Sequence, residues 1–177
     1  MFGTLPASID PIQLAERGAR LTGTLPLKSM PRLVQACLDG SGDVHVDLSF
    51  ERSEGEGLYE LRGDVSVKLR VTCQRCLEEM DFWLEARPSL MFMRPESNPA
   101  LLELETDVMV VDKPLLLSSV VEDELLLAMP MVPLHGLNEC PGKVYVAGGT
   151  SPVKESGKAG KVKKNPFSVL SELKRTK

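Results

Sequence analysis

Hydrophobic and polar residues alternate over the central third of the chain. Val44, Val46, Leu48 and Phe50 are separated by His45, Asp47, Ser49 and Glu51, and Tyr59, Leu61, Val65, Val67, Leu69 and Val71 share a second parity. A period of two puts successive side chains on opposite faces, so both segments predict strands with one dry and one wet face. Residues 51–57 between them are polar and glycine-containing, which makes an antiparallel hairpin the economical connection. Upstream, Leu21, Leu25 and Leu27 alternate with Arg20, Thr22 and Thr24 and predict an earlier half-buried strand. Downstream, residues 80–93 read as a returning strand and 108–111 as a last short one.

Helices are marked by punctuation. Asp10-Pro11 supplies a side-chain acceptor for the free amides of a first turn, then a residue whose φ is preset for it, and Gly18 offers a stop. A second short helix is expected after Ser29, with Pro31 near its start, Leu33, Val34 and Cys37 facing inward and Gly40 at its end. Ser119 followed by Glu122 forms a capping box, predicting a helix that runs to Met129 before Pro130 and packs Val121, Leu125 and Ala128 on the sheet. The expected fold is α+β: a curved antiparallel sheet or partial β-barrel, roughly 21–111, packed by helices.

Length and charge divide the chain further. Its 177 residues suffice for a core without staples, and a single domain is expected over 1–147. Residues 148–164, rich in glycine, serine and lysine, predict a flexible linker. Asn165-Pro166 repeats the cap-then-proline signal, and Phe167, Leu170 and Leu173 predict a short basic amphipathic helix over 165–177. Residues 154–177 hold 8 of the 21 basic and 2 of the 25 acidic residues, a local charge of +6 against −10 for the rest. An acidic body repels phosphate, whereas a basic tail displaces counterions without needing a fold. The candidate RNA or partner contacts are therefore Lys158, Lys161, Lys163, Lys164, Lys174 and Arg175, with Phe167 and Leu170 on a docking face; the bland alternative is a solubilising tail.

No apolar run reaches the roughly 20 residues of a membrane span. The longest candidate, 115–132, is broken by Glu122, Asp123, Glu124 and Pro130, and residues 1–10 lack a secretory pattern. A cytoplasmic protein with no membrane partner is expected. Cys73-Gln74-Arg75-Cys76 is the sharpest chemical feature, because two intervening residues let both sulfurs converge on one ion. His135 and Cys140 can complete a Cys3His set, which would make the cofactor a structural zinc. In the bland reading Cys76 is a small buried side chain and His135 and Cys140 are incidental. A redox pair usually has its reactive thiol at a helix N-terminus, whereas this motif follows a strand. Cys37 on an apolar helix face reads as core.

Catalysis has little support. Of the 2 histidines, His45 lies on the polar parity of a strand, and Glu122, Asp123 and Glu124 point in different directions on a helix, so they read as helix-start electrostatics. Phosphate-binding glycine loops are absent from the sequence. No enzyme is expected; the remaining enzymatic reading is a thiol or zinc enzyme built on Cys73 and Cys76.

Taken together, residues 5–11, Val71-Thr-Cys73-Gln-Arg75-Cys76-Leu77, Val121-Glu-Asp-Glu-Leu125 through Pro130, Pro133 and His135, and Asn165-Pro-Phe167 through Leu170 to Arg175 resemble the large ribosomal RNA subunit accumulation family known as YceD. The resemblance spans most of the chain and implies a bacterial-type, non-catalytic factor in accumulation of the large-subunit (23S) ribosomal RNA. Such a factor would act in synthesis, processing or protection of that RNA during ribosome biogenesis. The implied partner is ribosomal RNA or the assembling large subunit. A protein-interaction adaptor for a ribosomal protein or RNA-processing enzyme is the alternative. Cys73, Arg75, Cys76, Glu122, Glu124, Asn165, Pro166 and Phe167 match the family motifs, and Arg75 joins the candidate contacts.

Overall fold

The computed structural model describes residues 3–53, 57–96, 108–136 and 139–141. The chain divides into two units, Met1–Val144 and Tyr145–Lys177, and every described residue belongs to the first. The expected linker and terminal helix lie outside the described residues.

Strands run where the alternation places them: β3 at Arg20–Pro26, β4 at Asp43–Arg52 and β5 at Leu58–Thr72. Both β3 with β4 and β4 with β5 pair antiparallel, the latter from His45 opposite Ser66 to Arg52 opposite Tyr59. The returning strand is split into β6, Glu79–Ala86, and β7, Ser89–Met93. Both nevertheless keep one register on β5, with Thr72 facing Glu79, Val65 facing Ala86, Arg62 facing Ser89 and Leu58 facing Met93. The interruption is Arg87-Pro88, where the proline has no N–H to give to the ladder. Position 63 must be glycine for a different reason: a Cβ there would run into the Asp47 carbonyl oxygen and Leu48 Cα of the neighbouring strand.

Very short strands complete the fold, one pair of them as a separate two-stranded sheet; the strand at 108–110 is the one expected from the sequence, and the others were not foreseen. Strand β1, Gly3–Thr4, runs parallel to β3, and β2, Ser8–Ile9, pairs antiparallel with β9, Leu115–Leu116. At the other edge β8, Val108–Val110, runs parallel to β7. The result is a curved, unclosed sheet in the order β1-β3-β4-β5-β7-β8, with β6 beside β5, within the expected α+β class.

One parity of the strands forms the core. Val44, Val46, Leu48, Phe50, Leu61, Val67, Leu69 and Val71 are buried together with Ile12, Leu33, Leu117, Val121 and Leu125 from the helices. Fully burying side chains of this kind contributes about 1.5–3 kcal/mol each, which is why the alternation dominates the fold. The opposite parity is wet and ion-paired: Arg20 with Asp47, Arg62 with Glu60, Lys68 with Asp81, Arg70 with Asp39 and Glu79, and Arg87 with Asp64.

Helix α1, Pro11–Glu16, starts as predicted, with the Asp10 carboxylate accepting from the Ile12 and Gln13 amides at 3.1 and 3.0 Å, and Gly18 at φ +59° follows its end. Two helix readings need correction. Helix α2, Pro31–Gln35, stops well before Gly40 and has no capping bond from its own neighbourhood. Ser29 donates back to the Pro26 carbonyl at 2.7 Å instead. Helix α3, Leu117–Ala128, begins two residues before Ser119, so no capping box forms, and Ala128 is exposed whereas Val121 and Leu125 are buried. Glu122 reaches across to α2: its Oε1 accepts from the Arg32 and Leu33 amides at 2.6 and 3.1 Å. It is thus the remote cap of another helix rather than part of its own helix start. Among the described residues no helix is long and apolar enough to cross a membrane.

Candidate metal centre

The turn between β5 and β6 is closed by its own backbone. The Cys73 amide donates to the Glu78 carbonyl and the Leu77 amide to the Cys73 carbonyl, both at 2.9 Å. Leu77 takes φ +63°, the left-handed region that a glycine or asparagine would have signalled, so no residue type marks this turn in advance. The motif from Cys73 to Cys76 lies at the hairpin tip, as its position after a strand predicts.

After α3 the chain returns to this tip. The Gln74 amide donates to the Pro133 carbonyl at 2.9 Å, and the His135 amide donates to Cys73 Sγ at 3.4 Å. The Glu139 and Cys140 amides both donate to the Gly136 carbonyl at 3.1 Å, a tight turn that carries Cys140 inward. Cys73 and Cys140 are buried, and Cys76 and His135 half-buried.

Cys73, Cys76, His135 and Cys140 bring their ligand atoms within 4.8 Å of one another. Cys73 Sγ lies 4.0 Å from Cys140 Sγ, and Cys76 Sγ 3.4 Å from His135 Nδ1. A tetrahedral zinc with sulfur at about 2.3 Å and nitrogen at about 2.0 Å needs donor separations of about 3.5–3.8 Å. The donors lie within small side-chain movements of that spacing, so the residues fit a zinc ion.

The protonation chemistry agrees in part. Burial pushes the Cys73 thiol up, but backbone N–H groups of Cys76, His135 and Arg75 aimed at its sulfur outweigh that and bring it down to about 5. This favours the thiolate, the form that ligates metal. Cys76 is pushed up, first by burial and then by the neighbouring Cys73 and Cys140 sulfurs. A depressed thiol is also what a redox enzyme uses, but Cys73 is fully buried, follows a strand and sits at no helix N-terminus. Arg75 is half-buried, and its Nη1 has no hydrogen-bond partner among the described residues.

Other candidates fall elsewhere. Cys37 is partly buried against the core and donates to the Leu33 carbonyl at 3.2 Å, away from the four-residue set. His45 is exposed on the wet face. Lys158, Lys161, Lys163, Lys164, Phe167, Leu170, Lys174 and Arg175 lie outside the described residues.

A family model described as "Large ribosomal RNA subunit accumulation protein YceD" matches residues 61–174. A protein of that name from Haemophilus influenzae is 31% identical over 177 residues, covering 96% of this chain and 96% of the relative. No solved structure matches the chain. The family model and a relative aligned almost end to end agree with the cysteine turn, the α3 segment and the tail motif: the chain belongs to the large ribosomal RNA subunit accumulation protein YceD family.

Proposed function

We propose that this protein is a non-catalytic, cytoplasmic factor required for accumulation of the large-subunit ribosomal RNA, acting during synthesis, processing or protection of that RNA. The observation that carries this reading is the near end-to-end similarity to a relative bearing that name. The domain over 1–147 serves as a scaffold, 148–164 as a linker and 165–177 as a terminal basic element.

Charge supports placing the RNA contact on the tail. The guanidinium and ammonium groups of Arg20, Arg62, Lys68, Arg70 and Arg87 on the wet face of the sheet are each paired with a carboxylate, and the body outside 154–177 carries −10. A phosphate chain approaching that face would have to displace those carboxylates. The +6 segment offers cations in excess of its own carboxylates. Zinc held by Cys73, Cys76, His135 and Cys140 would supply structure only, pinning the segment after α3 to the tip of the β5–β6 hairpin.

Replacing Lys158, Lys161, Lys163 and Lys164 by glutamine in the full chain tests the contact. Affinity for a single-stranded ribosomal RNA fragment should fall. The slope of log K against log salt should shrink by roughly 3, since each phosphate that a lysine neutralises on a single strand adds about 0.7 to it. An unchanged slope removes the tail from the interface. Crosslinking in cells that returns protein adducts without RNA adducts would make the protein an adaptor instead.

A further inference from the structure

The three cysteines of the metal set differ in what can reach them. Cys73 and Cys140 are 0% and 1% exposed, whereas Cys76 is only half-buried, beside exposed Leu77 at the hairpin tip. A solute arriving from solvent therefore meets Cys76 first. The four ligand atoms all lie within 4.8 Å of one another, so a second sulfur is within reach of a short side-chain movement. Cys73 stays beside Cys76 because one turn carries both, closed by the Leu77 amide on the Cys73 carbonyl and the Cys73 amide on the Glu78 carbonyl. Cys140 comes from a separate segment, whose approach depends on the site itself.

The same sulfurs hold the returning segment in place. Among the described residues its polar contacts with the tip are the Gln74 amide on the Pro133 carbonyl, the His135 amide on Cys73 Sγ, His135 Nδ1 against Cys76 Sγ, and Cys140 Sγ against Cys73 Sγ. All but the first run through Cys73 or Cys76. Joining those two sulfurs to each other removes two of the four zinc donors and leaves the His135 amide facing a disulfide sulfur, a weak acceptor.

We infer that Cys76 and Cys73 form a peroxide-sensitive release: their oxidation to a disulfide discharges zinc and frees His135 and Cys140 from the hairpin tip. The Cys76 thiolate attacks one oxygen of hydrogen peroxide, the O–O bond breaks and hydroxide leaves, giving a sulfenic acid. The Cys73 thiolate then attacks the Cys76 sulfur, and a second hydroxide leaves as the S–S bond forms. Each sulfur loses one electron, peroxide gains both, and solvent protonates the hydroxides. Only His135 and Cys140 remain as donors, half of a tetrahedral set, so the site no longer retains zinc.

This inference rests on zinc being bound at the site, and it is independent of any RNA contact by the tail. Full-length, zinc-loaded protein is treated with hydrogen peroxide in the presence of a chromogenic zinc chelator, then mapped by mass spectrometry of non-reduced peptides and by hydrogen exchange. Zinc is released, Cys73 is found linked to Cys76, and exchange accelerates at the His135 and Cys140 amides. A thiol reductant with added zinc reverses all three changes. Cys76→His, which keeps a ligand at that position but removes the reachable thiol, retains zinc under peroxide, whereas Cys37→Ser releases it as wild type does. Protein that carries no zinc before treatment overturns the zinc reading and this one together; zinc that peroxide fails to release overturns this one alone. So does a disulfide that includes Cys140, which would keep the segment tied, or release from Cys76→His at the wild-type rate. The wild-type peptide map decides between these outcomes even where Cys76→His fails to load zinc.

Discussion

Two buried polar clusters tie the segment from α3 onward to the rest of the molecule, and they are finished in different ways. Glu122, 3% exposed, is completed by the chain itself: the Arg32 and Leu33 amides fill one oxygen, and Arg32 Nε and Nη2 fill the other at 3.0 and 2.8 Å. The Cys73, Cys76, His135 and Cys140 cluster has donors facing one another at 4.0 and 3.4 Å with only weak hydrogen bonds between them. A buried carboxylate with its acceptor sites filled is a structural joint and nothing more. A convergent set of soft donors can hold a cation, and such a joint is then completed by the metal rather than by the chain.

The largest effect should come from breaking the second joint. Protein purified without chelator should carry one equivalent of zinc by elemental analysis, and Cys140→Ser should lose it. If free zinc stands about a thousandfold above its dissociation constant, its removal lowers stability by about 4 kcal/mol. The loss should be local: hydrogen exchange should accelerate at the amides of His135 and Cys140 while β4 and β5, whose core is independent of the site, stay protected. Metal-free protein with the same melting midpoint and the same exchange pattern would abolish the contrast between the clusters.

Breaking the first joint should cost less and respond to the choice of replacement. Glu122→Ala leaves the Arg32 and Leu33 amides without their acceptor, at about 1–3 kcal/mol in all, because the Arg32 end of the cap is only part-buried and water can reach it. Glu122→Gln keeps one carbonyl oxygen and should recover part of that stability while losing the charge opposite Arg32. Chemical denaturation of the three proteins checks the order wild type, glutamine, alanine. Equal midpoints for glutamine and alanine would mean that the amide cap contributes nothing.

The difference between the clusters also shows what was legible in the sequence. The strands could be read because Val44 to Phe50 and Tyr59 to Val71 carry a strict period that only a half-buried sheet explains. The cysteine turn could be read for a chemical reason: thiols two residues apart converge whatever the surrounding fold, and the spacing of His135 and Cys140 then offered the remaining donors. Glu122 was misread because a capping box is a local pattern, while its true partners lie 90 and 89 residues away on α2. Ser29 failed for the complementary reason, since its hydroxyl donates to Pro26 and leaves α2 to be capped from outside. The short strands β1, β2 and β9 run over only two residues each, too few for any period to emerge. The expectations for the tail, including Phe167, Leu170 and the lysines, rest on sequence alone.

The smallest effect sharpens the comparison through pH. Burial raises the Glu122 carboxyl, but the Leu33 amide, the Arg32 side chain and the Arg32 amide outweigh it and hold the group below its ordinary 4.5. A depressed folded value means that the stabilisation is fully present above about pH 4.5 and is lost as pH falls through the folded value, because the unfolded chain takes up the proton first. Within that window stability should fall by up to about 1.4 kcal/mol per pH unit for this one group. Asp39 and Asp47, held down chiefly by hydrogen bonds from Ser41 and Arg20, fall in the same direction, but they titrate equally in wild type and Glu122→Gln. Subtracting the two stability curves below pH 4.5 therefore isolates Glu122. The wild-type advantage should shrink steadily on acidification, and a constant difference would show that Glu122 is not charged in the folded joint.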